Sequence, residues 1–373
     1  MLRFLKRFHI RLLNWEYWPT SLVYGPVFPV YLWYCLRARS FFFTAASNPG
    51  IQHAGLMMES KFSIDPLVPA AFRPPSLLFE PGTCFNRIEA GLEENKFCFP
   101  LVVKPDIGGK GMGVIKVNTA AQLEAVVSRY PVPFLVQPFI DLPNETGLFW
   151  VRIPGEKEGR ITGIVRKEFL RVTGDGKQSI RSLLLSNDRF LLQLPALEKQ
   201  LGQAIHQVLP AGKTELLVPY GNHARGALFL DDSHLITPEL NASFNKICNQ
   251  IHGFYFGRLD IRYRSWEELE AGKAFSIIEL NGAGSEPTHI YDPRHSLFFA
   301  WKEIIRYWRL LWVVSMKNKK MKEAGWMSFR DGMQMLKSYF TYMKICRKGF
   351  NQEAGTSPIN SPHKAQRDYN AYT

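Results

Sequence analysis

Hydrophobic and polar positions alternate along two short late stretches of the chain. Residues 257–263 read GRLDIRY, and residues 275–281 read FSIIELN. A period of two puts Arg258, Asp260 and Arg262 on one face of the first strand, and Glu279 and Asn281 on one face of the second. Similar apolar runs predict strands at 101–104, 114–117, 134–137, 148–153, 160–169 and 216–219. Helical spacing predicts helices at 59–67, 88–95, 119–128, 179–185, 188–207, 237–253 and 301–314, with Thr119 as a cap and Gly253 as a stop. Residues 47–55 and 173–177 carry turn chemistry, residues 220–226 read as a loop, and Pro69, Pro74 and Pro75 mark a linker. No internal repeat is visible.

The first 46 residues break this rhythm. Arg3, Lys6, Arg7 and Arg11 precede a charge-free run at 18–36, which Arg37 and Arg39 close. Such a run admits three readings: a buried irregular lobe, an interfacial segment with Trp and Tyr at headgroup depth, or a true span. Pro19, Gly25, Pro26 and Pro29 argue against one regular helix. No small-residue cleavage site follows, so a signal peptide is not expected. At the other end, residues 301–314 and the lysines after them form a basic helical region. It either packs on the core or meets acidic lipid. Residues 355–373 read as a polar, disordered tail.

Composition changes the picture in one respect. Among 373 residues, Lys and Arg exceed Asp and Glu enough to give a net charge of +13. That balance favours an anionic partner such as nucleotide phosphate or acidic lipid. Nucleic acid is not expected, because no zinc-finger spacing or aromatic RNA-binding signature accompanies the charge. Cys35, Cys84, Cys98, Cys248 and Cys346 are scattered without a CxxC pair and read as reduced thiols of a cytosolic chain.

Two stretches carry candidate chemistry. If the two late strands pair, Asp260, Glu279 and Asn281 converge as hard oxygen ligands suited to Mg2+. The alternative is a solvated hairpin face with ordinary acids. Residues 99–117 read FPLVVKPDIGGKGMGVIKV, a strand running into a glycine-rich loop. Gly108, Gly109, Gly111 and Gly113 let backbone N–H groups turn toward phosphate, with Lys104 and Lys110 supplying charge. The alternative is a loose hairpin with incidental lysines. No G-K-[ST] opens a helix, so this is not a Walker loop.

The ordered set VVKPDIGGKGMGV, VQPFIDLPNET and GRLDIR…IIELNGAG resembles the ATP-grasp superfamily over roughly residues 59–293. It resembles carboxylate–amine ligases such as D-alanine–D-alanine ligase and the ATP-grasp part of cyanophycin synthetase, and the GDGK turn at residues 174–177 is similar to the latter. The resemblance implies an α+β fold: two lobes with antiparallel sheets clasping ATP, between a degenerate aromatic N-terminal segment (1–58) and a basic helical C-terminus (294–350, with a tail at 351–373). It implies an ATP-dependent carboxylate–amine or carboxylate–thiol ligase working through an acylphosphate, with Mg2+ or Mn2+ and small-molecule carboxylate and amine substrates. A small-molecule kinase on the same fold and a membrane-associated nucleotide-binding module with little catalysis are the alternatives. The expected location is cytoplasmic, with peripheral attachment at the inner membrane face left open.

By position, Lys104 resembles the lysine that reaches the phosphates, and Lys61 an earlier nucleotide contact. Residues 108–113 resemble the phosphate-covering loop. Gln137, Pro138, Phe139 and Ile140 fall at the adenine hinge, and Glu145 falls at the ribose. Lys167, or Arg166 beside it, is a further phosphate candidate. Arg258 matches a phosphate-side arginine, and Asp260, Glu279 and Asn281 match the metal ligands. Glu286 and His289 are candidates to face the acceptor; the alternative is a structured loop with an exposed His. His223 and Arg225 are candidates for a substrate carboxylate, against a plain surface loop. The usual N-terminal α/β lobe is expected to be missing or degenerate, which leaves the substrates open.

Overall fold

A computed structural model describes residues 2–109 and 111–353 of the chain. The expected tail at 355–373 and Lys110 lie outside the described residues. The chain divides into two compact units. Among the described residues the smaller comprises 2–13, 169–228 and 351–353, and the larger comprises 14–168 and 229–350.

The smaller unit pairs β7 (Leu170–Thr173) with β8 (Thr214–Val218) in an antiparallel ribbon. It also holds helices α1 (Leu2–Leu13), α7 (Ile180–Leu185) and α8 (Asp188–Leu201). Ser179 caps α7 and Asn187 caps α8, their side-chain oxygens accepting N–H bonds of the first turn. The predicted strand at 160–169 therefore ends earlier, and β7 is a separate strand.

The larger unit is built on two sheets. One has the order β1-β4-β2-β3, from Leu77–Phe79, Phe134–Pro138, Leu101–Pro105 and Ile115–Val117, all paired antiparallel. The other has the order β11-β10-β5-β6-β9, from Phe275–Asn281, Phe256–Tyr263, Asn144–Val151, Arg160–Glu168 and Leu228–Asp231. Its pairings from β11 to β6 are antiparallel. Strands β1 and β9 are too short to show a period. Strand β5 starts before the predicted 148, so Glu145 lies in the sheet rather than in the loop after the hinge.

Each sheet buries one face under helices. Leu101, Val103, Phe134 and Val136 pack on α5 (Phe85–Glu94) and α6 (Ala120–Val127), joined by Cys346 and Tyr342 from the C-terminal helix. Leu148, Trp150, Leu259 and Ile261 pack under α9 (Pro238–Cys248) through Leu240 and Phe244. Alternation then sends Lys104, Gln137, Glu145, Arg258 and Asp260 to the opposite faces. Short helices α4 (Lys61–Ile64) and α10 (Trp266–Glu270) edge the strands.

The proline-broken N-terminal run forms α2 (Thr20–Tyr24), a 3-10 turn and α3 (Phe28–Ala38). It packs on α11 (Leu297–Met321), where Tyr34 stacks on Trp312 and Tyr31 meets Trp308 edge-on. Among the described residues no helix is long and apolar enough to cross a membrane. The basic helical region is longer than predicted: α11 extends beyond 301–314 at both ends, and α12 (Phe329–Glu353) follows.

The turn at 47–55 is woven into the larger sheet. The Asn48 side chain is fully buried. Its Nδ2 donates to the carbonyls of Ala54 (3.0 Å) and Phe256 (2.8 Å), and its Oδ1 accepts from the amides of Tyr255 (2.8 Å) and Phe256 (3.0 Å). The amides of Ala283 and Gly284 then donate to the carbonyls of Ala54 and Gly55, each at 2.8 Å. Gly55 adopts φ +71°, and a Cβ there would lie 2.7 Å from the Gly282 Cα. This loop thus fixes both the start of β10 and the turn after β11. Asn48→Ala strands the Tyr255 and Phe256 amides and the Phe256 carbonyl, while the Ala54 carbonyl keeps the Ala283 amide. It is expected to cost about 3–5 kcal/mol, read as a fall of about 5–15 °C in calorimetric Tm.

Candidate functional site

The site is built on Asp260 of β10, which is 4% exposed. Arg258, two residues back on the same face, grips it with both arms: Nε donates to Oδ1 (2.8 Å) and Nη2 to Oδ2 (3.1 Å). Lys167 of β6 reaches Oδ1 at 3.0 Å. Glu145 of β5 holds Lys167 at 3.1 Å and Arg262 at 3.1 Å. Register explains the convergence. Arg262 faces Glu145, and Asp260 faces Gly147, across the β10–β5 ladder. A Cβ at Gly147 would lie 3.0 Å from the Arg258 Cδ and 3.1 Å from the Asp260 Oδ1.

Charge states follow from this packing. Burial alone would raise the Asp260 pKa, but Arg258 and Lys167 outweigh it and hold the carboxyl well below the usual carboxylate range. Burial would likewise lower Lys167, yet Asp260 and Glu145 keep its ammonium above the ordinary value. Of the two residues proposed at this point, Lys167 turns into the cluster. Arg166 turns to Asp232 (2.8 Å) and Glu168 (2.5 Å).

The metal candidates stand together. Glu279 lies opposite Asp260, and Asn281 opposite Arg258, in the β10–β11 pairing. Asn281 Nδ2 donates to Asp260 Oδ2 at 3.3 Å. The Glu279 carboxylate is less enclosed and has Lys61 3.6 Å away. Among the described residues no group of three or more His, Cys, Asp or Glu is placed to hold a metal. The set here is two carboxylates and an amide, a donor chemistry that fits a hard divalent cation, with water and phosphate oxygens completing the shell. Glu59 adds a nearby carboxylate whose Oε2 is buried without a hydrogen-bond partner. Its pKa is raised by burial, with Lys61 and Glu279 acting on it in opposite directions.

Lysines from the smaller sheet's side close the other wall. Lys104 is buried and donates to the Ile278 carbonyl at 3.2 Å. Burial lowers its pKa, against the opposing pull of Asp65 and Glu279. Lys61 opens α4 and donates to the Gly108 carbonyl at 2.5 Å. Asp106 accepts from the Phe62 amide (2.9 Å), so the start of α4 is tied to the root of the glycine loop. Gly108, Gly111 and Gly113 all have positive φ, while Gly109 has open space around it. Tyr342 of α12 donates to the Ile107 carbonyl (3.0 Å), and Tyr130 to the Gly113 carbonyl (2.6 Å). A Cβ at Gly113 would lie 2.4 Å from the Phe350 ring.

The remaining candidates divide. Gln137 is buried and turns to Asp65 (3.0 Å) and Ser76 (2.5 Å). Pro138, Phe139 and Ile140 are half-buried. Phe139 sits beneath Lys116, whose Nζ is 3.8 Å from the ring centre. Glu286 neighbours the cluster, its carbonyl accepting from Arg258 Nη1 at 3.0 Å, and its carboxylate adds to burial in raising the pKa of the Tyr24 and Tyr291 hydroxyls. His289 is only 3% exposed and bonds Glu303 of α11 at 3.2 Å, so the exposed-His alternative does not describe it. His223 and Arg225 belong to the smaller unit, in a 3-10 turn where Arg225 covers the Tyr220 ring.

Sequence reasoning missed Asp106, Gly147 and Tyr24. Asp106 follows Lys104 by two residues and offered a signal, whereas Gly147 and Tyr24 acquire their roles only through register and packing.

No family model matches the sequence, and no curated protein matches it. Among solved structures the chain is similar to D-alanine–D-alanine ligase from Bacillus anthracis, at 15% identity and TM-score 0.40 over 74% of this chain and 72% of that one. It is similar to the VanG D-Ala:D-Ser ligase from Enterococcus faecalis, at 17% identity and TM-score 0.39 over 70% of this chain. It is also similar to a bifunctional glutathione synthetase from Pasteurella multocida, at 16% identity and TM-score 0.36 over 66% of this chain. The chain spans 62% of the VanG ligase and 36% of the glutathione synthetase. All three are ATP-grasp enzymes. Scores at this level name neighbours and assign no activity.

Asp260→Asn leaves Arg258 and Lys167 without their shared anion. It is expected to destabilise by about 3–5 kcal/mol at pH 7. The native Asp260 pKa lies below its unfolded value, so its contribution is full above about pH 4 and fades as pH falls through that range. Urea unfolding from pH 7 to pH 3 should therefore show the gap between wild type and variant narrowing on the acid side.

Proposed function

We propose that the larger unit binds ATP and a divalent cation and joins a small-molecule carboxylate to an amine or thiol through an acylphosphate. One observation carries this reading. Lys61, Lys104, Lys167 and Arg258 gather with Asp260, Glu279 and Asn281 beside a glycine loop. Phosphoryl transfer to a carboxylate brings two anions together, so catalysis there is mostly positioning and charge neutralisation. Such a site needs cations fixed in place before the substrates arrive.

In this reading the glycine loop presents N–H groups to the phosphates, and Lys61 and Lys104 donate to phosphate oxygens. Burial lowers the Lys104 pKa, and Asp65 and Glu279 act against that shift. Arg258 is locked on Asp260, which orients its outer face toward the transferring group. Lys167 keeps Asp260 ionised, and Glu145 keeps Lys167 in place. Asp260, Glu279 and Asn281 would hold Mg2+, which supplies neutralisation of phosphate charge when bound. Phe139 and its neighbours supply the half-buried surface for a base. The carboxylate oxygen attacks the terminal phosphoryl group, ADP leaves, and the amine then displaces phosphate from the acylphosphate.

The test is turnover by the full chain with ATP, MgCl2 and panels of amino acids and other carboxylates. ADP and inorganic phosphate should appear in equal amounts, and hydroxylamine should trap a hydroxamate. Lys104→Met should lower kcat by about 10²–10³-fold. ADP without free phosphate would indicate a kinase, and absence of turnover with every acceptor would remove the enzymatic reading.

A further inference from the structure

We propose that the outward face of α3 docks on an anionic lipid surface, making this a peripheral membrane protein through its larger unit. The helix presents two different sides. Tyr34 and Cys35 face inward with Ala38, against Phe43, Trp312 and Met316. The other side carries Phe28 (42% exposed), Leu32 (39%), Trp33 (57%) and Leu36 (72%), with Leu22 (57%) on α2 just before it. Positions 28, 32 and 36 recur every fourth residue and form one line along the helix, with Pro29 and Trp33 beside it. Large side chains at these exposures are not needed to cover the core beneath them, which Tyr31, Tyr34 and Cys35 already close. A contiguous apolar face on the outside of a folded unit marks an interaction surface.

Charge selects the occupant. From Phe28 to Leu36 the helix has no charged residue, and Arg37 and Arg39 follow at its end, both exposed. Arg37 lies over Trp312, its guanidinium carbon 4.9 Å from the ring centre, and Lys319 lies over Trp326, which packs on the same cluster. Apolar side chains at the centre and cations on aromatic supports at the margin suit a bilayer with acidic headgroups. Leucines enter the acyl boundary, Trp33 sits at headgroup depth, and the cations meet phosphate or carboxylate. A helix of 11 residues spans about 16 Å, enough to lie in an interface and too short to cross it. A soluble protein partner would not require cations at this margin, and the chain's net charge of +13 repels a second copy. The inference does not depend on the ligase reading.

The experiment is co-sedimentation of the full chain with vesicles of phosphatidylcholine alone and of phosphatidylcholine mixed with phosphatidylglycerol. The wild type is expected to pellet with the anionic vesicles and to be released by high salt. Leu32→Ser with Leu36→Ser should lower the partition coefficient about tenfold or more, since each exposed leucine loses most of its apolar transfer. Arg37→Glu with Arg39→Glu should lower binding to anionic vesicles about thirtyfold or more and leave weak binding to neutral ones unchanged. Matching circular dichroism would keep these outcomes about the surface rather than the fold. The proposal is overturned if the wild type stays in the supernatant with both vesicle types. It is equally overturned if both double variants pellet as well as the wild type, or if the apolar face proves to drive only self-association in sedimentation velocity.

Discussion

A carboxylate buried inside a sheet must be neutralised where it stands, and Asp260 is that carboxylate. Water cannot solvate it, so Arg258 and Lys167 do, from its own strand and from a strand two positions away. That requirement propagates. Lys167 brings a second buried charge, which Glu145 balances, and Glu145 in turn holds Arg262. Glycine at 147 leaves room for the guanidinium to lie flat against its partner. Three adjacent strands are thereby fixed in register by charge as well as by their backbone ladder, because a slip of one residue would turn each of these groups into the apolar core.

The two sheets of the larger unit meet through the same chemistry. The pairing of β10 with β11 shifts between Asp260 and Ile261, so Ile278 has no opposite residue in the ladder. Its carbonyl accepts instead from Lys104 on β2. An irregularity in one sheet thus becomes the attachment point for a cation from the other, beside the Glu279 carboxylate. Lys61 repeats the connection from α4, touching the loop root at Gly108 and reaching toward Glu279.

Much of this was legible from residue order. Alternation along part of their length located β10 and β11, continuous apolar runs located β2 and β4, and the face assignments of Arg258, Asp260, Glu279 and Asn281 followed from a period of two. What was not legible depended on contacts distant in sequence. Glu145 read as the edge of a loop because Pro143 precedes it, but pairing with β10 extends the strand to Asn144. His289 read as a residue beside the acceptor. Its enclosure by Glu303 and Tyr307 depends on how α11 lies, which no local pattern encodes. The first 46 residues were ambiguous because their hydrophobicity has no single period. One side of α2 and of α3 packs on α11 and the other side does not.

The glycine loop has an unusual pair of anchors. Its two feet, Ile107 and Gly113, are both held by the final helix, one through the Tyr342 hydroxyl and the other beneath the Phe350 ring. A flap pinned at both ankles cannot swing as a whole. The seating of α12 therefore couples both ends of the glycine-rich stretch to the four-stranded sheet.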